Sequence, residues 1–363
     1  MLFRSEQLQV VEDGLRGLAR TLPATHGEIA AVAEAAGQLG VRTKDIVGFT
    51  KVMIDLGETT NLSADEAATS IAQLMNVMRT APKDVDRVGA ALVALGNAGA
   101  STERDIIQMA QRMSASARII GLTEGEVLGL ANAMASVGIE VEAGGSAVSR
   151  VLTDIAKAVA QGGEDLQAWA RVAGMTGDAF AAKWKADPAE ALALFIDGLG
   201  RMQAAGEDVF TTLDDLGQAD VRTSRALLSM ATSGDLLRES LELGNKAWAD
   251  NTALAEEAGK RYDTTAAKVA IARNNLNEAA ISIGDTLLPV LAAAAEQVAG
   301  FAQAIADLPE PVRVGIAGIS GIAGVTALAA GAFLLTFPRV IETVKAFRQL
   351  NEISPSTATA LGK

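Results

Sequence analysis

The chain has 363 residues, 49% apolar but only 4% aromatic, with no cysteine, one histidine and a formal charge of −13 from 31 basic and 44 acidic side chains. That length buries a core without staples, the lack of cysteine excludes disulfide frameworks and thiolate zinc sites, and the acidic balance opposes a grip on phosphate backbones, so no specific nucleic-acid partner is expected. An apolar load carried by Ala, Leu, Val, Ile and Met is helix-forming stock, which predicts an all-α protein with no sheet.

The opening run MLFRSEQLQVVEDG lacks the apolar core, roughly 7 to 15 residues long, that a secretory signal needs. From about residue 24 the chain settles into amphipathic stretches, each opened by a hydroxyl residue with an acid three positions on: Thr25 with Glu28, Ser63 with Glu66, Thr102 with Asp105, and Thr123 with Glu126. In that spacing hydroxyl and carboxylate satisfy orphan amides at a helix start, so these four residues are predicted helix caps. At an offset of sixty residues Asp45-Ile46 falls on Asp105-Ile106, Met53 on Met113 and Leu62-Ser63 on Leu122-Thr123. Residues 25–78 and 85–138 therefore read as two copies of a three-helix unit within a repeat region, 1–140, and stacked repeats are a scaffold architecture.

Gly144-Gly145-Ser146 reads as a flexible structural turn before a helix from about Ala147 to Val159, which Gly162-Gly163 ends. The region 141–235 is predicted to be a small helical unit whose core is the aromatic cluster Trp169, Phe180, Trp184 and Phe195. Within it, Asp187-Pro188 starts another helix, with proline in the tolerated first turn. Residues 236–310 read as long amphipathic helices, solvated and suited to spanning distance as far as about residue 280. Gly284 and Pro289, in the pattern Ile-Gly-x-x-Leu-x-Pro, mark a turn there.

Val314 to Phe337 is a run of 24 residues without a charge. As a helix it is ~36 Å long at ~1.5 Å per residue, sufficient to cross a bilayer core of ~30 Å. Gly315, Gly318, Gly321, Gly324 and Gly331 punctuate it at spacings that let helix backbones approach closely in lipid. Residues 311–350 are accordingly the candidate membrane-spanning helix with its flank, and 351–363 a polar tail expected to be disordered.

Nothing in the pattern converges on chemistry. His26 stands beside a helix cap and reads as a capping-turn residue, and the neighbouring carboxylates Asp214-Asp215 and Glu256-Glu257 point about 100° apart on a helix, as on a solvated face. No P-loop, dinucleotide fingerprint or HExxH motif is present. The expectation is therefore no enzyme, with no catalytic residues, no metal ligands and no cofactor.

Three stretches carry a resemblance: GVRTKDIVGFTKVMIDLGETTNLSADEAA (40–68), STERDIIQMAQRMSASARIIGLTEGEVLGLANAMASVGIEVEAGGSAVSR (101–150), and AISIGDTLLPVLAAAAEQVAGFAQAIADLPEPVRVGIAGISGIAGVTALAAG (280–331). In their order, helix-start signals and final glycine-punctuated span they resemble the core region of phage tail tape measure proteins. The resemblance implies several copies, a homo-oligomer in the tail lumen, that set tail length during assembly and assist genome ejection across the host membrane. It also implies tail assembly chaperones, the tail tube protein and distal tail or tip proteins as partners. The locations implied are the virion tail lumen, the host cytoplasm during assembly and the host cytoplasmic membrane during ejection. Family members are commonly longer, with coiled-coil sections before this core, so the expectation is either a short tail or a fragment of a longer gene product. Two other readings stand beside it: a membrane-inserting or pore-forming helical protein, and a soluble helical-repeat adaptor.

Overall fold

The computed structural model describes residues 2–283, and over them every regular element is helical. The chain divides into two compact units, 1–278 and 279–363. Of the second, the described residues 279–283 are helical.

The first unit begins with four helical hairpins. They are α1 (Leu2–Ala19) with α2 (His26–Gln38), α3 (Ile46–Thr59) with α4 (Ala64–Met78), α5 (Val85–Ala98) with α6 (Glu103–Ile120), and α7 (Glu124–Ser136) with α8 (Val141–Gln161). The helices sort into two layers, because α2, α4, α6 and α8 pack successively on one another while α1, α3, α5 and α7 do the same beside them. The step is regular: α3, α5 and α7 begin at Ile46, Val85 and Glu124, each 39 residues after the last. This is a solenoid in which each hairpin buries its apolar faces against its neighbours.

The sixty-residue offset also lays helix on helix, but it pairs α2 with α5 and α3 with α6, helices of opposite layers. The 39-residue step keeps every helix in its own layer, and it is written in the sequence. Lys44-Asp45 recurs as Lys83-Asp84, each inside a short 3-10 turn that leads into an odd-numbered helix. Leu56-Gly57 recurs as Leu95-Gly96, and the cap Ser63 as Thr102.

A small bundle follows: α9 (Gly163–Val172), α10 (Gly177–Ala186), α11 (Pro188–Ala204), α12 (Val209–Asp215) and α13 (Val221–Ala231). Its core holds the predicted aromatic cluster, with the rings of Trp169 and Phe195 4.8 Å apart and those of Phe180 and Trp184 6.4 Å apart. All four are buried. The bundle joins the stack through α8, on which α9 and α13 pack.

From there the chain turns back. Residues 236–278 are not a long solvated span but three helices laid over the stack in reverse order. The first, α14 (Leu236–Asp250), covers α7 and α5, and the second, α15 (Ala253–Tyr262), covers α5 and α3. The third, α16, over residues 265–278, reaches the α1–α2 corner, where Asn274 bonds the carbonyls of Leu22 and Ala24. The pattern expected of a solvated face, Glu- and Lys-rich, belongs only to the outer side. Leu237, Leu241, Ala247, Leu254 and Ala258 face inward. Asn251, in the left-handed conformation, breaks the run between α14 and α15.

The layer of α3, α5 and α7 is therefore the middle of three, and α5 and α7 are buried nearly all round. Residues 88–93 of α5 and 127–134 of α7 are continuously buried, which a helix with one solvent face cannot be.

Gly144 and Gly145 correct another expectation. They lie inside α8, which already begins at Val141, and they form no turn. A methyl group on Gly145 would stand 2.6 Å from Cβ of Arg112, and one on Gly144 3.3 Å from Cε of Met109, both residues of α6. The glycines thus admit α6 to close packing against α8, and what reads as flexibility along the chain is a contact surface across it. The same logic is sharper where α7 meets α14. A methyl on Gly129 would lie 2.5 Å from the Ser240 carbonyl oxygen, and one on Gly244 would overlap the carbonyl oxygen of Gly125.

Gly244→Ala is expected to lower stability by about 2 to 3 kcal/mol, because only backbone stands in the way of the new methyl. Gly37→Ala, in α2 with no atom within 4 Å of the added carbon, is expected to raise it by about 0.5 to 1 kcal/mol. Thermal or urea unfolding of the two variants checks the opposite signs.

Candidate functional site

The polar side chains that link distant parts of the first unit gather along one seam, between the returning helices and the stack. At its upper end Asn132 of α7 donates to Ser240 Oγ of α14 at 3.1 Å and accepts from Ser101 at 2.6 Å, and both Asn132 and Ser240 are buried. Lower down, Arg87 of α5 donates to the Trp248 carbonyl at 2.8 Å, and Asn251 donates to Asp86 at 2.7 Å. On α15 the Tyr262 hydroxyl donates to Asp55, a buried carboxylate of α3 that also holds Lys51. Burial and the neighbouring Asp55 carboxylate both push the Tyr262 hydroxyl well above the usual phenol range, which keeps it a donor.

The seam ends on a cluster of charge. Glu278 of α16 accepts from Arg16 Nε at 2.8 Å, from Arg20 Nη2 at 2.9 Å, and lies 2.9 Å from His26 Nε2. Two amides stand beside it, Asn274 on the Leu22 and Ala24 carbonyls and Asn275 on the Arg20 carbonyl. These carbonyls belong to the end of α1 and the turn after it, where helix geometry leaves acceptors without partners. Side chains some 250 residues away in sequence supply them.

Burial by itself raises the Glu278 carboxyl, but the hydrogen bonds from Arg20, His26 and Arg16 outweigh it and hold its pKa down at about 2, against an ordinary value of 4.5. A carboxylate with a depressed pKa favours the folded chain above its unfolded value, and that contribution is lost as pH falls from 4.5 through about 2.

His26 is the first residue of α2, with its ring at this cluster. The hydroxyl caps act where they stand. Thr25, Ser63 and Thr123 form complete capping boxes with Glu28, Glu66 and Glu126. Thr102 accepts from the Asp105 amide, but its hydroxyl bonds the Asp105 carboxylate, whose shorter side chain does not close the box. The expected turn at Gly284 and Pro289, and the close-packing set Gly315, Gly318, Gly321, Gly324 and Gly331, lie outside the described residues. Among the described residues no helix is long and apolar enough to cross a membrane.

A groove of about 450 Å³ beside the seam is lined by basic and acidic side chains together, Lys44, Lys51, Lys83, Asp45, Asp55 and Asp86, with Asn251 among the others. Its carboxylates are already spent, Asp45 on Arg42, Asp55 on Lys51 and Tyr262, and Asp86 on Asn251. The arrangement fastens helices.

Sequence reasoning found the hydroxyl caps but not the seam, since Asn132, Asp55, Tyr262, Asn274 and Glu278 carry no local motif. The one legible signal was all-round apolarity in α5 and α7, which requires a third layer over them.

A family profile described as phage-related minor tail protein matches residues 12–213. The chain belongs to the phage-related minor tail protein family. The match covers more than half of the chain and runs from within α1 to α12, so it takes in the hairpin stack and most of the adjoining bundle. The returning helices α14 to α16 lie beyond it. Comparison with curated proteins and with solved structures yields no match. Membership in a minor tail protein family assigns the chain a structural role in the phage tail, and so to the virion.

Glu278→Gln is expected to lower stability at pH 7 and to flatten the acid limb of stability between pH 4.5 and about 2, read as the urea midpoint at each pH. Asn274→Ala is expected to cost about 1 to 3 kcal/mol through its two carbonyl partners, with no change in pH profile.

Proposed function

We propose that this minor tail protein is the tape measure of its tail, a structural and non-enzymatic component that sets tail length during assembly and assists genome ejection across the host membrane. The observation that carries the reading is the order of segments: a helical hairpin stack of the minor tail family, then the charge-free run from Val314 to Phe337 with its recurrent glycines.

Composition supports each step. A run so apolar aggregates unless covered, which fits assembly beside tail chaperones. The net charge of −13 keeps a lumen occupant from adhering to DNA that passes it. A charge-free run of 24 residues with small residues at close-packing spacings is long enough in sequence to suit insertion into the host cytoplasmic membrane. The tail tube and distal tail proteins are the remaining partners in this reading, and copies of the chain associate in the lumen.

The charge-free run equally favours a second reading, a membrane-inserting protein that acts without a virion. Tails that assemble at normal length without the chain favour that second reading.

The length function is tested by inserting a helical segment of about fifty residues between residues 278 and 279, where the first compact unit ends. Tails lengthened by up to about 75 Å in electron micrographs support the reading, since ~1.5 Å per residue is the helical rise. Tails of unchanged length, from virions that contain the longer chain, overturn it and leave a minor tail component without a ruler function.

A further inference from the structure

The hold of the returning helices on the stack changes in kind along their length. At the upper end it is apolar and close: α14 buries Leu237, Leu241 and Ala247, and its Gly244 lies against the backbone of Gly125. In the middle, α15 buries Leu254 and Ala258. On α16 the buried apolar side chain within the described residues is Ala267, while Val269 is 63% and Leu276 45% exposed.

Hydrophobic burial contributes little to the position of α16, because Val269 and Leu276 face away from the stack while Ala267 and the half-buried Ile271 turn toward it. That position is set by Asn274 and Asn275 on three backbone carbonyls and by Glu278 under Arg16, Arg20 and His26. The cluster sits at the edge of the body, with the Arg20 side chain 56% exposed above a Glu278 that is almost wholly covered. It also coincides with the last residue of the first compact unit. A segment fixed by directional polar contacts at one end and by packing at the other opens from the polar end, since a few broken bonds there expose little apolar surface.

We propose that α15 and α16 form a releasable strap, latched at Glu278, which lifts from the stack as a local unit while the hairpins α3 to α8 and the α7–α14 contact stay folded. The latch is conformational, and Glu278 is its positioning residue. Its release frees the α1–α2 corner at the same time, because the carbonyls of Arg20, Leu22 and Ala24 lose their donors together. A pull or a competing partner on the chain beyond residue 278 acts first on this latch. The proposal concerns the described body alone and stands whether or not the chain measures tail length.

Amide hydrogen exchange on the full chain, wild type against Glu278→Gln, tests it. The expected result is exchange over residues 253–278 and the 20–25 turn at least about tenfold faster than over α3 to α8 in the wild type, and faster still over the strap in the variant. Equal protection of the strap and of α3 to α8 in the wild type means that the strap is part of one cooperative body and overturns the proposal, as does a strap whose exchange does not change in the variant. Should the variant not fold, the wild-type rates decide. Exchange of 253–278 at least about tenfold faster than that of α7 and α14 supports a local strap. Equal protection throughout overturns it.

Discussion

Close approach between helix backbones is the constraint on which this structure depends. A chain with 4% aromatic residues has few large side chains with which to fill space between helices that stand apart. Its core must be filled by bringing helices together over Ala, Gly, Leu and Met. Gly145 admits Arg112, Gly129 admits the backbone at Ser240, and Gly125 and Gly244 touch through their main chains. Once α7 and α14 are this close, the path of the chain is determined. The last helices must run back across the middle layer, and α5 and α7 become buried on nearly every side.

Burial of the middle layer in turn explains where the polar residues sit. A helix with no solvent face has few places for a polar group, and each that occurs needs a partner from a neighbouring layer. Asn132 finds Ser240, Asp55 finds Tyr262, and at the open corner the carbonyls after α1 find Asn274 and Asn275. These pairs fix the register of the returning helices, which close packing of small residues alone leaves free to slide. The gradient from packing at α14 to charge at Glu278 follows from position. The upper end crosses the buried middle of the stack, whereas the lower end meets its edge, where arginine and histidine can stay partly in water.

For a tail component this division is useful. A stack of hairpins joined by short turns supplies a compact body from mostly local contacts. The matched family segment, 12–213, covers that body, and the strap that closes it lies outside the match. The polar latch, the end of the compact unit and the start of the more apolar carboxyl-terminal region all fall near residue 278. Folding and mechanical continuity along the chain meet at that point.

The amino-acid sequence by itself determined the helical class, three complete capping boxes, the aromatic core of the small bundle and the acidic surface. Each follows from contacts within one turn of helix or from composition. Tertiary structure alone decided the rest. The 39-residue step, though written in Lys-Asp and Leu-Gly pairs, competes with a sixty-residue offset until one knows that helices two apart share a layer. Whether a glycine bends the chain or receives another helix depends on what lies across from it, so Gly144 and Gly145 read as a turn and pack as a face. The Glu- and Lys-rich run after residue 236 shows its outer side in sequence, whereas its inner side is defined by the α3, α5 and α7 surfaces that it covers. Glu278 meets Arg16 across 262 residues, and no local pattern encodes a contact of that separation.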